Sequence, residues 1–165
     1  MIIFGLIVFI IILCVFQSSE ASHPRGERKG IPFKTYFKLT ERQSIEEFES
    51  RMTNGMFTEN KEVFVTAFAN EKKVLRVTAS IGSKYKCGAS DTPSNWLTIA
   101  RKINANYIYQ YHNHPDGLFN GSPSKQDRVT HVYLSSMFDG TEVAFHSYLV
   151  YRNMWNSVKI VEYSN

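Results

Sequence analysis

Residues 107–127 read YIYQYHNHPDGLFNGSPSKQD, and the fold turns on how this stretch divides. Tyr107 to Tyr111 is aromatic and apolar in the manner of a strand. Pro115 has no N–H to give to a strand ladder and ends it. Pro115 to Pro123, with Gly117 and Gly121 inside, is a loop. Ser124 followed by Asp127 marks a helix start, as a shortened carboxylate form of the capping box. His112 and His114 therefore stand at a strand-to-loop corner. Two residues apart on a strand, they project to one face, about 6.6 Å apart along the backbone, and can converge on one ion. The loop then returns Asp127 in the first turn of the helix, where its carboxylate completes a three-donor set. Two imidazoles and one carboxylate with an open fourth position is the pattern of a catalytic zinc site, where a bound water is acidified toward a pKa of about 7. The same residues have a reading without metal, in which Ser124 and Asp127 only cap a helix and the histidines are exposed strand residues.

Working outward from this stretch, the chain alternates helices and strands. Before it, Ser44 and Glu47 form a capping box for a helix to Met52, with Ile45, Phe48 and Met52 at helical spacing. Val63 to Ala69 is a short β-branched and aromatic run of the kind found in buried strands. Leu75, Val77, Ala79 and Ile81 alternate with Arg76, Thr78 and Ser80 as a half-buried strand, joined to the previous one by the polar turn Asn70-Glu71-Lys72-Lys73. Gly82 to Asp91 reads as a loop, and Pro93 opens a helix with Trp96, Ile99, Ala100 and Ile103 on one face. After the motif, a helix runs from Lys125 to Met137, Phe138-Asp139-Gly140 turns the chain, and Val143 to Tyr151 and Trp155 to Tyr163 are strands. This order predicts an α/β class protein, a mixed sheet flanked by helices.

The whole chain has 165 residues, 43% hydrophobic and 21% charged, which excludes a disordered chain, a collagen-like repeat and a multi-domain enzyme. Ile2 to Phe16 is an almost unbroken apolar run, and every Lys and Arg lies after it. At about 15 residues it is shorter than the roughly 20 that span a bilayer, and it fits a secretory signal peptide over residues 1–21, cleaved after Ala21. Removing 21 residues leaves 144 and, with Glu20 gone, raises the formal charge from +4 to +5. The expected location is secreted or periplasmic. The alternative is an uncleaved N-terminal anchor holding the domain outside the cytoplasm, because no Lys or Arg precedes the apolar run. Residues 22–40 read as a flexible basic leader, and 41–165 as the domain. Cys14 leaves with the signal, so Cys87 has no partner for an internal disulfide and reads as a small buried apolar group. The basic residues are dispersed despite a pI near 9.0, so no nucleic-acid partner is expected. One thiol cannot supply the two thiolates of a nucleoside deaminase, and Ser124 lacks a G-x-S-x-G elbow.

His112-Asn113-His114-Pro115 with Pro123-Ser124-Lys125-Gln126-Asp127 resembles the H-x-H-P…P-S-x-x-D signature of the JAB/JAMM (MPN-type) metalloprotease family, most closely its RadC-like branch. Glu62, which opens Glu62-Val63-Phe64-Val65-Thr66-Ala67-Phe68 and lies 50 residues before His112, is similar in place to that family's strand-opening glutamate. The likeness runs from about Glu62 to Val150. It implies the family's curved mixed sheet flanked by helices, a cytidine-deaminase-like fold. It also implies that His112, His114 and Asp127 hold Zn2+ and that Glu62 relays a proton from the attacking water to the leaving amine. Ser124 is implied to hydrogen-bond the oxyanion. Two features depart from the pattern: the loop from His114 to Pro123 is longer by about two residues, and Phe145 stands where an Asp usually precedes the histidine corresponding to His146. His146 accordingly reads as an ordinary strand histidine, His131 as a surface helix histidine and Asp116 as a turn residue.

The resulting expectation is an exported zinc-dependent hydrolase acting on a peptide or protein substrate at a peptide or isopeptide bond. Its alternative is a binding module that keeps the JAB/JAMM fold without turnover. The membrane enters only if the N-terminal segment is retained.

Overall fold

The computed structural model describes residues 42–57, 60–83, 88–89, 91–115, 121–155 and 157–163. The expected signal segment and leader, Cys14, Cys87 and Asp116 lie outside them. Among the described residues, no helix is long and apolar enough to cross a membrane.

Helix α1, Ile45–Met56, starts at a complete capping box: Ser44 Oγ accepts the Glu47 N–H at 3.2 Å, and the Ser44 N–H donates to Glu47 Oε2 at 3.3 Å. The helix continues one turn past Met52, because Phe48, Met52 and Met56 keep a four-residue spacing and all three are buried. Strand β1, Val63–Ala69, pairs antiparallel with β2, Val74–Ile81. Asn70 makes the turn between them by accepting the N–H groups of Lys72 and Lys73, each at 3.0 Å, on its Oδ1. Helix α2, Pro93–Ile103, is capped by Thr92, carries Pro93 in its first turn and ends at Asn104, whose left-handed φ of 55° closes it.

Strand β3, Tyr107–Asn113, carries the histidine motif, and helix α3, Lys125–Phe138, follows it. Strands β4, Ala144–Arg152, and β5, Val158–Glu162, complete a five-stranded sheet in the order β2-β1-β3-β4-β5. Only β3 and β4 are parallel, with α3 as their crossover; the other pairs are antiparallel. The fold class is therefore mixed α/β, as the element order predicts. The last strand begins at Val158 and not at Trp155. Asn153 Oδ1 accepts the N–H groups of Trp155 (3.1 Å) and Ser157 (2.9 Å), which turns the chain and leaves Trp155 77% exposed.

Each sheet face has its own core. Phe48, Met52 and Met56 of α1 pack on Val63, Val65, Ala67 and Tyr111. On the opposite face Trp96 and Ala100 of α2 and Leu134 and Phe138 of α3 pack with Phe68 and Ile108. β3 is the central strand, so its alternate residues are committed to opposite cores: Tyr109 and Tyr111 to the α1 side, Ile108 to the α2/α3 side. His112 and His114, in phase with Ile108, belong to the α2/α3 side, at the end of the sheet where α3 begins.

Candidate metal centre

His112 is in the last turn of the β3 pleat and His114 lies one residue past the strand, its N–H still bonded to Val150 O of β4 at 3.3 Å. Both rings face the same side, 5.1 Å apart between centroids and inclined at 61°. Asp127 meets both. Its Oδ1 is 3.4 Å from His112 Nε2 and its Oδ2 is 3.4 Å from His114 Nε2. One donor atom from each of the three residues lies within 4.8 Å of the others. A tetrahedral ion with bonds of about 2.0–2.1 Å has neighbouring donors ~3.4 Å apart, and each imidazole lies at that distance from a different oxygen of the Asp127 carboxylate. The donor set fits a metal ion in chemistry and in size.

The first turn of α3 fixes the carboxylate. Asp127 is the third residue of that helix, where its N–H donates to Ser124 Oγ at 3.1 Å and its Oδ2 accepts the Ser124 N–H at 2.8 Å. The cap is compatible with Asp127 as a metal donor, because it aims the carboxylate at the two imidazoles. Burial pulls the Asp127 pKa up. The adjacent His112 and His114 imidazoles and the Ser124 bond outweigh it and hold the carboxyl well below the usual carboxylate range.

Glu62 directly precedes β1. Its N–H donates to Ser83 O and its carbonyl accepts the Gly82 N–H, each at 2.9 Å, which extends the β1/β2 ladder by one step. The β1/β3 register ends with Phe64 paired to His112, which leaves Glu62 two residues beyond the last pair, at the end of β1 nearest the histidines. Phe64 lies flat against His112, with centroids 6.4 Å apart and planes 16° from parallel. Burial foremost pushes the Tyr163 phenol's pKa up, with the negative charge of Asp127 and then Glu62 adding and Arg128 opposing.

The structure thus brings His112, His114, Asp127 and Ser124 into one group, and sets Glu62 just before β1, two residues from the strand partner of His112. His146 stands apart: it faces the other side of the sheet, stacks on Tyr109 at 5.4 Å and pairs with Glu162 through Nδ1 at 2.7 Å. His131 is not a surface residue, in contrast to the expectation from sequence. It is 6% exposed, because the face of α3 that follows Asp127 by one turn packs on Phe145 and Tyr163. Two contributors escape the sequence reading. Asn113, between the histidines, is fully buried on the α1 side, accepts the Val63 N–H at 2.6 Å and donates to Met56 O (2.9 Å) and Lys61 O (3.2 Å). It thereby pins the chain on both sides of Glu62. Tyr163, just past β5, reaches His112 from a strand two places away in the sheet.

Fold and site together define a mixed α/β protein whose central strand and following helix present a His–His–Asp group able to hold a metal ion. In comparisons with known proteins, no family model and no curated sequence matches the chain.

Proposed function

We propose that the protein is an exported zinc-dependent hydrolase that cleaves an amide bond, peptide or isopeptide, on a domain of the JAB/JAMM type, RadC-like branch. The observation that carries this reading is the convergence of His112, His114 and Asp127, one donor atom from each within 4.8 Å of the others, on a strand end and a helix start. Those three side chains would hold the ion. Zinc in such a site supplies Lewis acidity, acidifying a water and polarising a carbonyl.

The chain's other residues divide the remaining work. Glu62, two residues before the strand partner of His112, takes the proton of the attacking water as the C–O bond forms. It returns that proton to the amine nitrogen as the C–N bond breaks. Ser124 Oγ already accepts a backbone N–H from Asp127, so its own O–H proton is the one to donate to the oxyanion. Phe64 against His112 gives the site an apolar wall that limits water around the ligand ring. Export follows from the apolar run Ile2 to Phe16 ahead of the domain.

The test is a Glu62→Gln variant assayed beside the parent on a broad set of peptides and isopeptides. The variant is expected to retain zinc and to lose about 10²- to 10⁴-fold in rate. Parent-level activity in the variant removes Glu62 as the base, and a zinc-loaded parent that cleaves nothing leaves a binding module in place of an enzyme.

A further inference from the structure

Among the described residues, the two most exposed large apolar side chains are neighbours: Met154 is 85% exposed and Trp155 77%. Both stand at the tip of the β4–β5 hairpin, just past the strand pair Arg152 and Val158. Asn153 locks the turn, donating its N–H to Ser157 O at 3.0 Å and accepting the Trp155 and Ser157 N–H groups on its Oδ1. The tip lies at the same end of the sheet as the candidate centre. β4 runs parallel to β3, with Val150 across from Asn113, so Arg152 is two residues past the partner of Asn113. Exposed cations surround the tip. Arg152 and Lys159 flank it in the two strands. Lys125 and Arg128 stand in the first turn of α3, and Gly121, shortly before that helix, packs against the ring of Tyr151, next to Arg152.

Shape and charge select the occupant. A protein partner grips an apolar anchor in a fitted pocket, whereas a bilayer interface yields around a convex tip and favours Trp at the headgroup level. Anionic headgroups attract Lys and Arg placed beside the inserted residues. We propose that the β4–β5 tip docks on an anionic lipid surface: Met154 and Trp155 enter the interfacial layer, and Arg152, Lys159, Lys125 and Arg128 face the headgroups. This contact belongs to the domain itself and needs neither the N-terminal apolar segment nor metal nor hydrolysis. It sets the candidate centre close to the lipid surface.

Trp155 reports its own position, because the other tryptophan of the chain, Trp96, is fully buried. The full-length protein is mixed with phosphatidylcholine vesicles and with vesicles of phosphatidylcholine and phosphatidylglycerol in equal parts, each with and without brominated acyl chains. On the anionic vesicles the Trp155 emission is expected to move to the blue, to lose quenching by aqueous iodide and to gain quenching by bromine. Raised salt is expected to reverse these changes. Read by the same emission, Met154→Ala is expected to bind the anionic vesicles about 10-fold more weakly. Lys159→Gln is expected to bind them about 5-fold more weakly. Both variants should melt at the parent temperature, since the side chains are exposed. Emission that stays unchanged on anionic vesicles overturns the proposal even where the chain sediments with them, because the N-terminal segment then accounts for the binding. An equal response to neutral and anionic vesicles, or variants that match the parent, also overturns it. A Trp155 response to casein, a soluble acidic polypeptide, with none to vesicles overturns it in favour of a polypeptide-docking tip.

Discussion

Asn113 shows how adjacent residues in one short motif serve opposite faces of a sheet. The histidines on either side of it turn toward the carboxylate, while Asn113 turns away and satisfies three backbone groups of the segment that carries Glu62. Asn113→Ala should cost about 3 kcal/mol in a denaturant titration, because buried backbone groups lose partners that water cannot replace. A loss under about 1 kcal/mol contradicts this role. Glu49 of α1 gives a pH prediction at the same scale. Its carboxylate accepts the Tyr111 hydroxyl at 2.8 Å. Its pKa is raised above 4.5, foremost by burial, with Tyr111 opposing and Glu46 adding. An acid with a raised folded pKa stabilises the fold most below its unfolded pKa and loses that contribution as pH rises through the folded value. Glu49→Gln keeps an acceptor for Tyr111 and removes the charge, so it should be more stable than the parent at pH 7 and equal to it near pH 4. Thermal melts at the two pH values check this, and a variant that is weaker at pH 7 contradicts it. His112, His114 and Asp127 are legible from local spacing because their convergence needs only one strand and the next helix turn. Tyr163, His131 and Asn113 are not, since their partners depend on strand order and on which face each element covers.

At the scale of elements, the strongest sequence signals were those in which a side chain closes its own backbone. Ser44 with Glu47, Asn70 and Ser124 with Asp127 each make the cap or turn their identity predicts. The element bounds that shifted are governed by contacts outside the local pattern. Met56 extends α1 because the sheet buries it, and the Asn153 turn delays β5 past an exposed Trp155 whose apolar character alone suggests strand. The start of α3 is a cap that also carries a proposed metal donor. Ser124→Ala should therefore lower stability by about 1 kcal/mol and also weaken metal binding, whereas Ser124→Thr, which keeps the hydroxyl, should restore both. Stability and zinc affinity measured together test this, and a Ser124→Ala protein with full zinc affinity separates the two roles. Just upstream, Gly121 has a φ of +75°, and a Cβ there would collide with the Tyr151 ring. Gly121→Ala should cost about 1–3 kcal/mol from strained backbone alone. A variant as stable as the parent shows that the loop relaxes away from β4.

Across the whole molecule, the candidate centre joins the end of the central strand to the first turn of the helix that crosses to β4. An ion bound there would stabilise the fold by mass action, about 2.7 kcal/mol at a free concentration 100-fold above its Kd. The mixed sheet and its helices follow from the order of elements, whereas the roles proposed for the site residues rest on the resemblance of the motif to the JAB/JAMM signature. What spacing alone does not supply is the contact of Tyr163 with His112 and His131, because it needs the last strand to return beside β4. The most direct measurement is the elemental content of purified full-length protein beside Asp127→Ala. One zinc per chain is predicted in the parent and none in the variant. A folded parent without bound transition metal, or equal metal in both proteins, contradicts the account.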